Sequence, residues 1–354
     1  MKIFFLISTL NFGGAERQIL TDATLLKNEG YNIAIIYRDS GPLIKSFQDE
    51  KIRLIKIPGN SFLLRSIQLY NLLKSENPDY IFAHMYWAQK LSSLPAFINQ
   101  TKLIFFEHGL GLWKKWYHIF ITRLSSLFAK KIITVSSAKK NIKIQREGFS
   151  EKKLRVIPNS FNFNCSTHNI DKTGKKQFLI GFAGRFSAIK QLPLLLDIAF
   201  ILNKKRTNFK FILLGDGNEK DKLEKSIQNN NLSHLFELPG YVNNLEDYLT
   251  NFDVFILPSR LEDLSVALLE ASSVGLPCIA FDVGGNKEII QHNYTGYIIK
   301  PFDINEFVKK LEILMNNREI SYELGQNAKE FVNKNFNNKK RLKNLQDIIN
   351  KQSS

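Results

Sequence analysis

Asn251-Phe-Asp-Val-Phe-Ile-Leu-Pro-Ser-Arg-Leu-Glu-Asp-Leu-Ser-Val-Ala-Leu-Leu-Glu-Ala-Ser-Ser-Val-Gly-Leu-Pro277 reads as a strand, a loop and a helix in that order. Residues 251–258 form a short apolar run stopped by proline. Ser265 to Val274 carries its apolar side chains at helical spacing and is closed by Gly275 and Pro277. The pattern predicts Glu262 in the loop at the end of a strand, and Glu270 inside the helix that follows. Free backbone N–H groups and the helix dipole make a helix start a place where anions bind. A carboxylate beside it can hold sugar hydroxyls while the amides face a phosphate, so two carboxylates in this setting point to a nucleotide-sugar site. A plainer reading of the same pair stays open, with both glutamates as caps or surface charges.

Three other stretches bear on that choice. Gly181-Phe-Ala-Gly-Arg-Phe-Ser-Ala-Ile-Lys190 follows the apolar Phe178-Leu-Ile180, Phe211-Ile-Leu-Leu-Gly-Asp-Gly217 ends another apolar run, and Asp282-Val-Gly-Gly-Asn-Lys-Glu-Ile-Ile290 follows a third. In this order and spacing they resemble the carboxy-terminal half of the retaining glycosyltransferases of the glycogen-synthase-like group, family 4, which have the GT-B fold. The resemblance extends, more weakly, over nearly the whole chain.

The resemblance implies roles for particular residues. Gly184-Arg185 followed by Lys190 matches the family's diphosphate-gripping element. Glu262 would contact the donor sugar hydroxyls and Glu270 the ribose, with the amides of Asp263, Leu264 and Ser265 near sugar or phosphate. Many relatives have Glu-Gly-Phe where this chain has Glu262-Asp263-Leu264, which leaves the loop conformation and the donor sugar open. Asp216 closes its strand beside the site, and Tyr241-Val242 corresponds to a stretch near the base, although both also fit simple turns. In the first half, Gly13-Gly14 resembles the family's glycine loop, and His108 in Glu107-His-Gly109 aligns with the histidine that faces the cleft. His84 in Phe-Ala-His-Met competes with it for that place.

The chemistry suits these residue types. Breaking a sugar–diphosphate bond moves negative charge onto the leaving group while the sugar gains oxocarbenium character. Fixed cations such as Arg185 and Lys190 therefore stabilise the transition state more than the ground state. Arginine can grip a phosphate bidentately, lysine as a point charge. His108 would hydrogen-bond sugar or acceptor. No Asp-x-Asp occurs, so the pattern predicts no metal site and no cofactor. The resemblance implies retention by front-face attack, with Glu262 as a covalent nucleophile a second chemical route.

Strands alternate with helical segments along the whole chain, which predicts an α/β protein of two doubly wound, Rossmann-like domains facing across a cleft. Predicted strands are 3–10, 32–37, 53–57, 80–84, 103–107, 131–136 and 154–158, then 178–183, 210–214, 236–239, 254–258, 278–282 and 296–299. Residues 1–165 read as one domain on the acceptor side. Residues 166–176, in a polar tract from Asn162, read as a linker and 177–330 as the nucleotide-sugar domain, with 331–354 helical and packing back on the first domain. A chain of 354 residues with 44% hydrophobic content can bury two cores.

Residues 1–170 hold +13 of the chain's net charge of +16. That field favours an anionic partner: a phospholipid surface or a lipid-linked acceptor. Leu112–Lys131 mixes Trp, Phe, Ile and Leu with Lys and Arg, as interfacial helices do, and equally fits a helix packed on its own sheet with a basic edge. None of the familiar nucleic-acid-binding signatures is apparent, so nucleic acid is not expected. The apolar run at Ile3–Leu10 is short and lacks a small-residue cleavage site, and no stretch reaches the roughly 18 residues that span a bilayer. Cys165 and Cys278 are far apart and fit a reducing compartment. The combined expectation is a cytoplasmic glycosyltransferase, peripheral at the inner face of the plasma membrane. It would move a hexose or N-acetylhexosamine from a nucleotide-diphosphate sugar, with UDP the expected nucleotide, to a lipid-linked or surface-glycan acceptor. A sugar-nucleotide epimerase of the same fold and a non-catalytic membrane scaffold are the alternatives.

Overall fold

The computed structural model describes residues 1–161, 177–205 and 207–350. The polar tract 162–176, which contains the linker read from the sequence and Cys165, lies outside the described residues. The chain forms two compact units, one of Met1–Asn159 plus the segment from Asn338 onward, the other Ser160–Asn337.

The first unit alternates β1 (Lys2–Thr9), α1 (Gly14–Asn28), β2 (Asn32–Asp39), α2 (Ile44–Asp49), β3 (Arg53–Lys56), α3 (Phe62–Glu76) and β4 (Tyr80–His84). It continues with α4 (Met85–Ile98), β5 (Lys102–Glu107), α5 (Trp116–Ser126), β6 (Ala129–Thr134), α6 (Ser137–Gln145) and β7 (Leu154–Val156). All pairings are parallel, in the order β3-β2-β1-β4-β5-β6-β7. Because successive strand side chains point to opposite faces, Ile3, Phe5 and Ile7 of β1 enter one core while Phe4 and Leu6 enter the other. A sheet covered on both faces reads as a continuous apolar run rather than an alternating one, which is why Phe4-Phe5-Leu6-Ile7 was legible as a strand.

The second unit carries β8 (Phe178–Ala183), α7 (Leu194–Asn203), β9 (Phe209–Leu214), α8 (Lys220–Asn229), β10 (Phe236–Gly240), α9 (Leu245–Asn251) and β11 (Val254–Leu257). Then follow α10 (Val266–Ser273), β12 (Cys278–Phe281), α11 (Asn286–Ile289), β13 (Gly296–Ile299), α12 (Ile304–Asn316) and α13 (Arg318–Asn335). The strand order is β10-β9-β8-β11-β12-β13, again all parallel. In both units the chain starts in the middle of the sheet and reverses direction once, between β1 and β4 and between β8 and β11. Ligands of such sheets bind outside the carboxyl ends of the strands at that reversal.

Every predicted strand is present, with ends moved by at most two residues. The stretch predicted at 131–136 is observed at Ala129–Thr134, because Ser136 instead caps α6 by accepting the Lys139 N–H at 2.9 Å. Residues 331–335, read as the start of the returning helix, end α13. There the side-chain amides of Asn335 and Asn337 turn back to the carbonyls of Phe331 and Asn333, competing with helix continuation. The final helix, α14 (Asn338–Asn350), packs beside α1 in the first unit. Its Arg341 meets the Asp22 carboxylate with Nη2 at 2.6 Å from Oδ2 and also donates to the carbonyls of Ile157 and Pro158. Tyr80 OH donates to the Ile349 carbonyl at 2.8 Å.

Candidate functional site

The loops at the carboxyl ends of β8, β9, β10, β11 and β12 are stitched to one another by backbone hydrogen bonds. Gly184 N–H donates to Leu214 O, Phe186 N–H to Asp216 O, and Gly215 N–H to Gly240 O, at 2.8–2.9 Å. Arg260 N–H donates to Ile189 O at 2.9 Å, and Gly285 N–H to Asp263 O at 2.7 Å. Glycine is required at the tightest of these joints. A Cβ on Gly215, whose φ is +135°, would sit 1.9 Å from the Gly184 carbonyl oxygen.

On this frame Lys190 closes a short 3-10 turn, Ala188–Lys190, after β8. Its Nζ lies 2.6 Å from Oε1 of Glu262 in the loop after β11. The structure thus joins two predicted site residues across the strand-order reversal. Arg185 is exposed beside them, Gly184 is half-buried, and Asp263, Leu264 and Ser265 are buried. Ser265 caps α10 by accepting the Leu268 N–H at 3.4 Å, so the glutamate loop runs directly into a helix N-terminus. Glu270 is buried on that helix. Asp216 is exposed, its carboxylate accepting the Gly217 N–H at 2.7 Å, and Tyr241 and Val242 follow β10.

In the first unit, Gly13 caps α1 at φ −172°, an extended conformation open to any residue, and Gly14 is the first residue of the helix. Any need for glycine there comes from close approach rather than backbone geometry. His84 at the end of β4 and His108 just beyond β5 lie with Nδ1 of the first 2.9 Å from Nε2 of the second. The competition between them resolves into a pair: His84 is 1% exposed, stacked between Phe5 and Phe106, and His108 is the half-buried member. Nε2 of His84 has no hydrogen-bond partner among the described residues. A buried N–H left unbonded costs more than a bare ring nitrogen whose proton sits elsewhere. His84 therefore carries its proton on Nδ1 and donates to His108, which leaves Nδ1–H as the free donor of His108. Burial, with the Arg341 charge nearby, pushes the His108 pKa down to about 3, and burial beside His108 holds His84 well below its usual range. His108 is a neutral hydrogen-bonding group rather than a cation.

Behind this pair sits a group that the sequence reading missed. The carboxylates of Glu107 and Glu147 are enclosed with the ammonium groups of Lys114, Lys139 and Lys143, all five buried, at N–O distances from 2.5 to 3.7 Å. Burial alone would raise the Glu107 pKa, but the three lysines outweigh it and hold that carboxyl well below its usual range. Burial lowers Lys114, whereas the two carboxylates overcome burial at Lys143 and raise it. Lys139 Nζ also donates to the Leu110 carbonyl at 2.9 Å, fixing the loop beyond His108. Lys139 and Lys143 are four apart on α6 and Glu147 follows four further on, in the turn just past the helix end, and that spacing is the signal that could have found them.

Among the described residues no group of three or more His, Cys, Asp or Glu side chains could hold a metal ion. No described helix is long and apolar enough to cross a membrane.

Residues 12–164 match the family model Glycosyltransferase Family 4, and residues 166–331 match Glycosyl transferases group 1. The chain belongs to this family of glycosyltransferases and has the GT-B fold. It is 27% identical to the UDP-Gal:alpha-D-GlcNAc-diphosphoundecaprenol alpha-1,3-galactosyltransferase of Escherichia coli, over 95% of this chain and 93% of that one. It is also 27% identical to the GalNAc-alpha-(1->4)-GalNAc-alpha-(1->3)-diNAcBac-PP-undecaprenol alpha-1,4-N-acetyl-D-galactosaminyltransferase of Campylobacter jejuni, over 93% of each. Among solved structures, Anabaena HepE in complex with UDP superposes with a TM-score of 0.88 over 99% of both chains at 19% identity, a likeness of fold.

Proposed function

We propose that this glycosyltransferase moves a hexose or N-acetylhexosamine from a UDP-sugar to a lipid-linked acceptor at the inner face of the membrane, in the building of a surface glycan. The observation that carries the reading is the Lys190–Glu262 contact at the β8/β11 reversal, where a cation and a carboxylate meet in a loop that runs into a helix N-terminus. The names of the Escherichia coli and Campylobacter jejuni relatives, both acting on undecaprenol-linked sugars, support the acceptor class.

In this reading Arg185 and Lys190 hold the diphosphate, with the α10 N-terminus adding its amides. Glu262 accepts hydrogen bonds from the donor sugar, Glu270 from the ribose, and His108 donates from Nδ1 to the sugar or acceptor. The bond from the anomeric carbon to the diphosphate breaks, and the acceptor oxygen bonds that carbon on the same face. The acceptor proton passes to the leaving phosphate, so configuration is retained. Charge leaving with the diphosphate is met by fixed cations, with no metal ion needed.

The test is a transfer assay in the presence of EDTA, with UDP-hexoses and UDP-N-acetylhexosamines as donors and an undecaprenyl-diphosphate-linked sugar as acceptor. The anomeric coupling of the product is read by NMR. A metal-independent product with the donor's configuration supports the reading. Release of an isomerised sugar without transfer would favour the epimerase instead, and an inverted product would overturn retention.

A further inference from the structure

Helix α5 is packed the opposite way round from ordinary surface helices, which turn their apolar stripe to the core. The inward face of α5 is Thr122, Ser125 and Ser126, whereas its outward face shows Trp116, Phe120 and Leu124 at 78%, 62% and 53% exposure. Helix α4 buries Leu91 with Ala88, Ser92, Ser93 and Ala96 and still exposes Leu94, Phe97 and Ile98. Next to α4 on its other side, α3 adds Phe62, Leu63 and Ile67. Fourteen of the twenty-one exposed large apolar side chains among the described residues fall between Phe62 and Leu127, so the surface is concentrated rather than scattered.

The surface is also built. Lys90 Nζ lies 4.5 Å from the Phe62 ring and joins α4 to α3, while ring contacts of Tyr86 with Trp113 and of Phe97 with Phe128 join α4 to the segments flanking α5. Its charge has one sign. Residues 61–75, 85–98 and 108–131 contain no aspartate or glutamate, while Lys90, Lys115, Arg123 and Lys130 are exposed among the apolar groups. Two copies meeting through this face would oppose cations with no carboxylate to pair them. An anionic bilayer supplies both an apolar layer and the counter-charge. Trp113, Trp116 and Tyr117 are the residue types that settle at the headgroup level.

We infer that the outer faces of α3, α4 and α5 form the surface by which this protein docks on anionic phospholipid, with the side chains of α5 inserted at the headgroup boundary. The inference rests on the lipid-linked acceptor of the proposed function and names the surface that brings the protein to it. The sequence left α5 open between an interfacial helix and one packed with a solvated basic edge. Its inverted packing favours the first, and α3 and α4, which the sequence reading did not single out, extend the surface.

The test is flotation of the full chain with phosphatidylcholine vesicles, with and without phosphatidylglycerol, alongside UDP binding by calorimetry and sedimentation velocity. The wild type is expected to float with phosphatidylglycerol vesicles. The triple variant Trp116→Ser/Phe120→Ser/Leu124→Ser is expected to partition at least about tenfold more weakly. Phe200→Ser, at an exposed apolar position of the second unit, is expected to float like the wild type, and UDP binding should be equal in all three. Vesicle binding unchanged in the triple variant, or absent in the wild type, would overturn the inference. So would a wild-type dimer that the triple variant converts to monomer with flotation unchanged. Flotation lost on substitution in a protein that binds no nucleotide would leave the surface standing and remove the transferase reading instead.

Discussion

Lys190 Nζ and Glu262 Oε1 stand 2.6 Å apart, joining the turn after β8 to the loop after β11 over a separation of 72 residues. With side chains 18% and 12% exposed, the pair is open enough to be reached by a ligand and too enclosed to be an ordinary surface salt bridge. Lys190→Ala and Glu262→Ala are each expected to lower kcat/KM by about a hundredfold or more, because in the proposed function each removes a contact to charge or hydroxyls in the transition state. Far-UV circular dichroism of both variants should match the wild type. The double variant should lose less than the product of the two single losses, since the two groups contact each other. Full activity in both single variants would remove the pair from the site.

The joint between the β8 and β9 loops sets the shape of that site. Gly215→Ala is expected to destabilise the protein by about 2 kcal/mol or more, since φ of +135° and a Cβ 1.9 Å from the Gly184 oxygen both oppose it. Gly109→Ala, where φ is +83° but no atom lies within 4 Å of the added carbon, should cost less. Thermal unfolding of the two variants side by side checks the order.

The histidine pair gives the protein a pH signature. In the fold the His108 pKa is about 3 against an ordinary 6.5, and His84 is lowered as well. Below about pH 6.5 the unfolded chain therefore binds more protons than the folded one. Their contribution to stability is complete above that pH and is lost as pH falls toward 3, by up to about 1.4 kcal/mol per unit for each ring. The double variant His84→Gln/His108→Gln should show a flatter fall of unfolding temperature between pH 6.5 and 4.5, whatever its stability at neutral pH. In the wild type, ring NMR signals of His108 should stay those of a neutral imidazole down to pH 5.

Arg341 and Asp22 tie the carboxy-terminal helix to α1 as a buried ion pair, each side chain about 1% exposed. Arg341→Met leaves the Asp22 carboxylate buried without that cation and is expected to cost about 3 kcal/mol. Adding Asp22→Asn should recover part of the loss. Denaturant unfolding of the single and double variants measures both.

The strands were legible where they are short apolar runs bounded by Gly, Pro or polar clusters, as in Val254–Leu257 stopped by Pro258. The loop carrying Glu262 and the helix carrying Glu270 were legible from the change of spacing at Ser265. What the sequence did not disclose depends on which way a side chain points. Lys114, Lys139 and Lys143 were counted as part of a basic outer field, yet all three are buried against Glu107 and Glu147, contacts that only the β5, α5 and α6 packing brings about. The outward turn of Trp116, Phe120 and Leu124 was hidden in the same way, since a mixed segment gives no sign of which face the sheet covers.

The most direct test of the account is calorimetric titration of the purified protein with UDP in the presence of EDTA, for the wild type and for Lys190→Ala and Arg185→Ala. The account predicts metal-independent binding by the wild type, weakened by about tenfold or more in each variant. No binding by the wild type, or binding left unchanged by both substitutions, would contradict it.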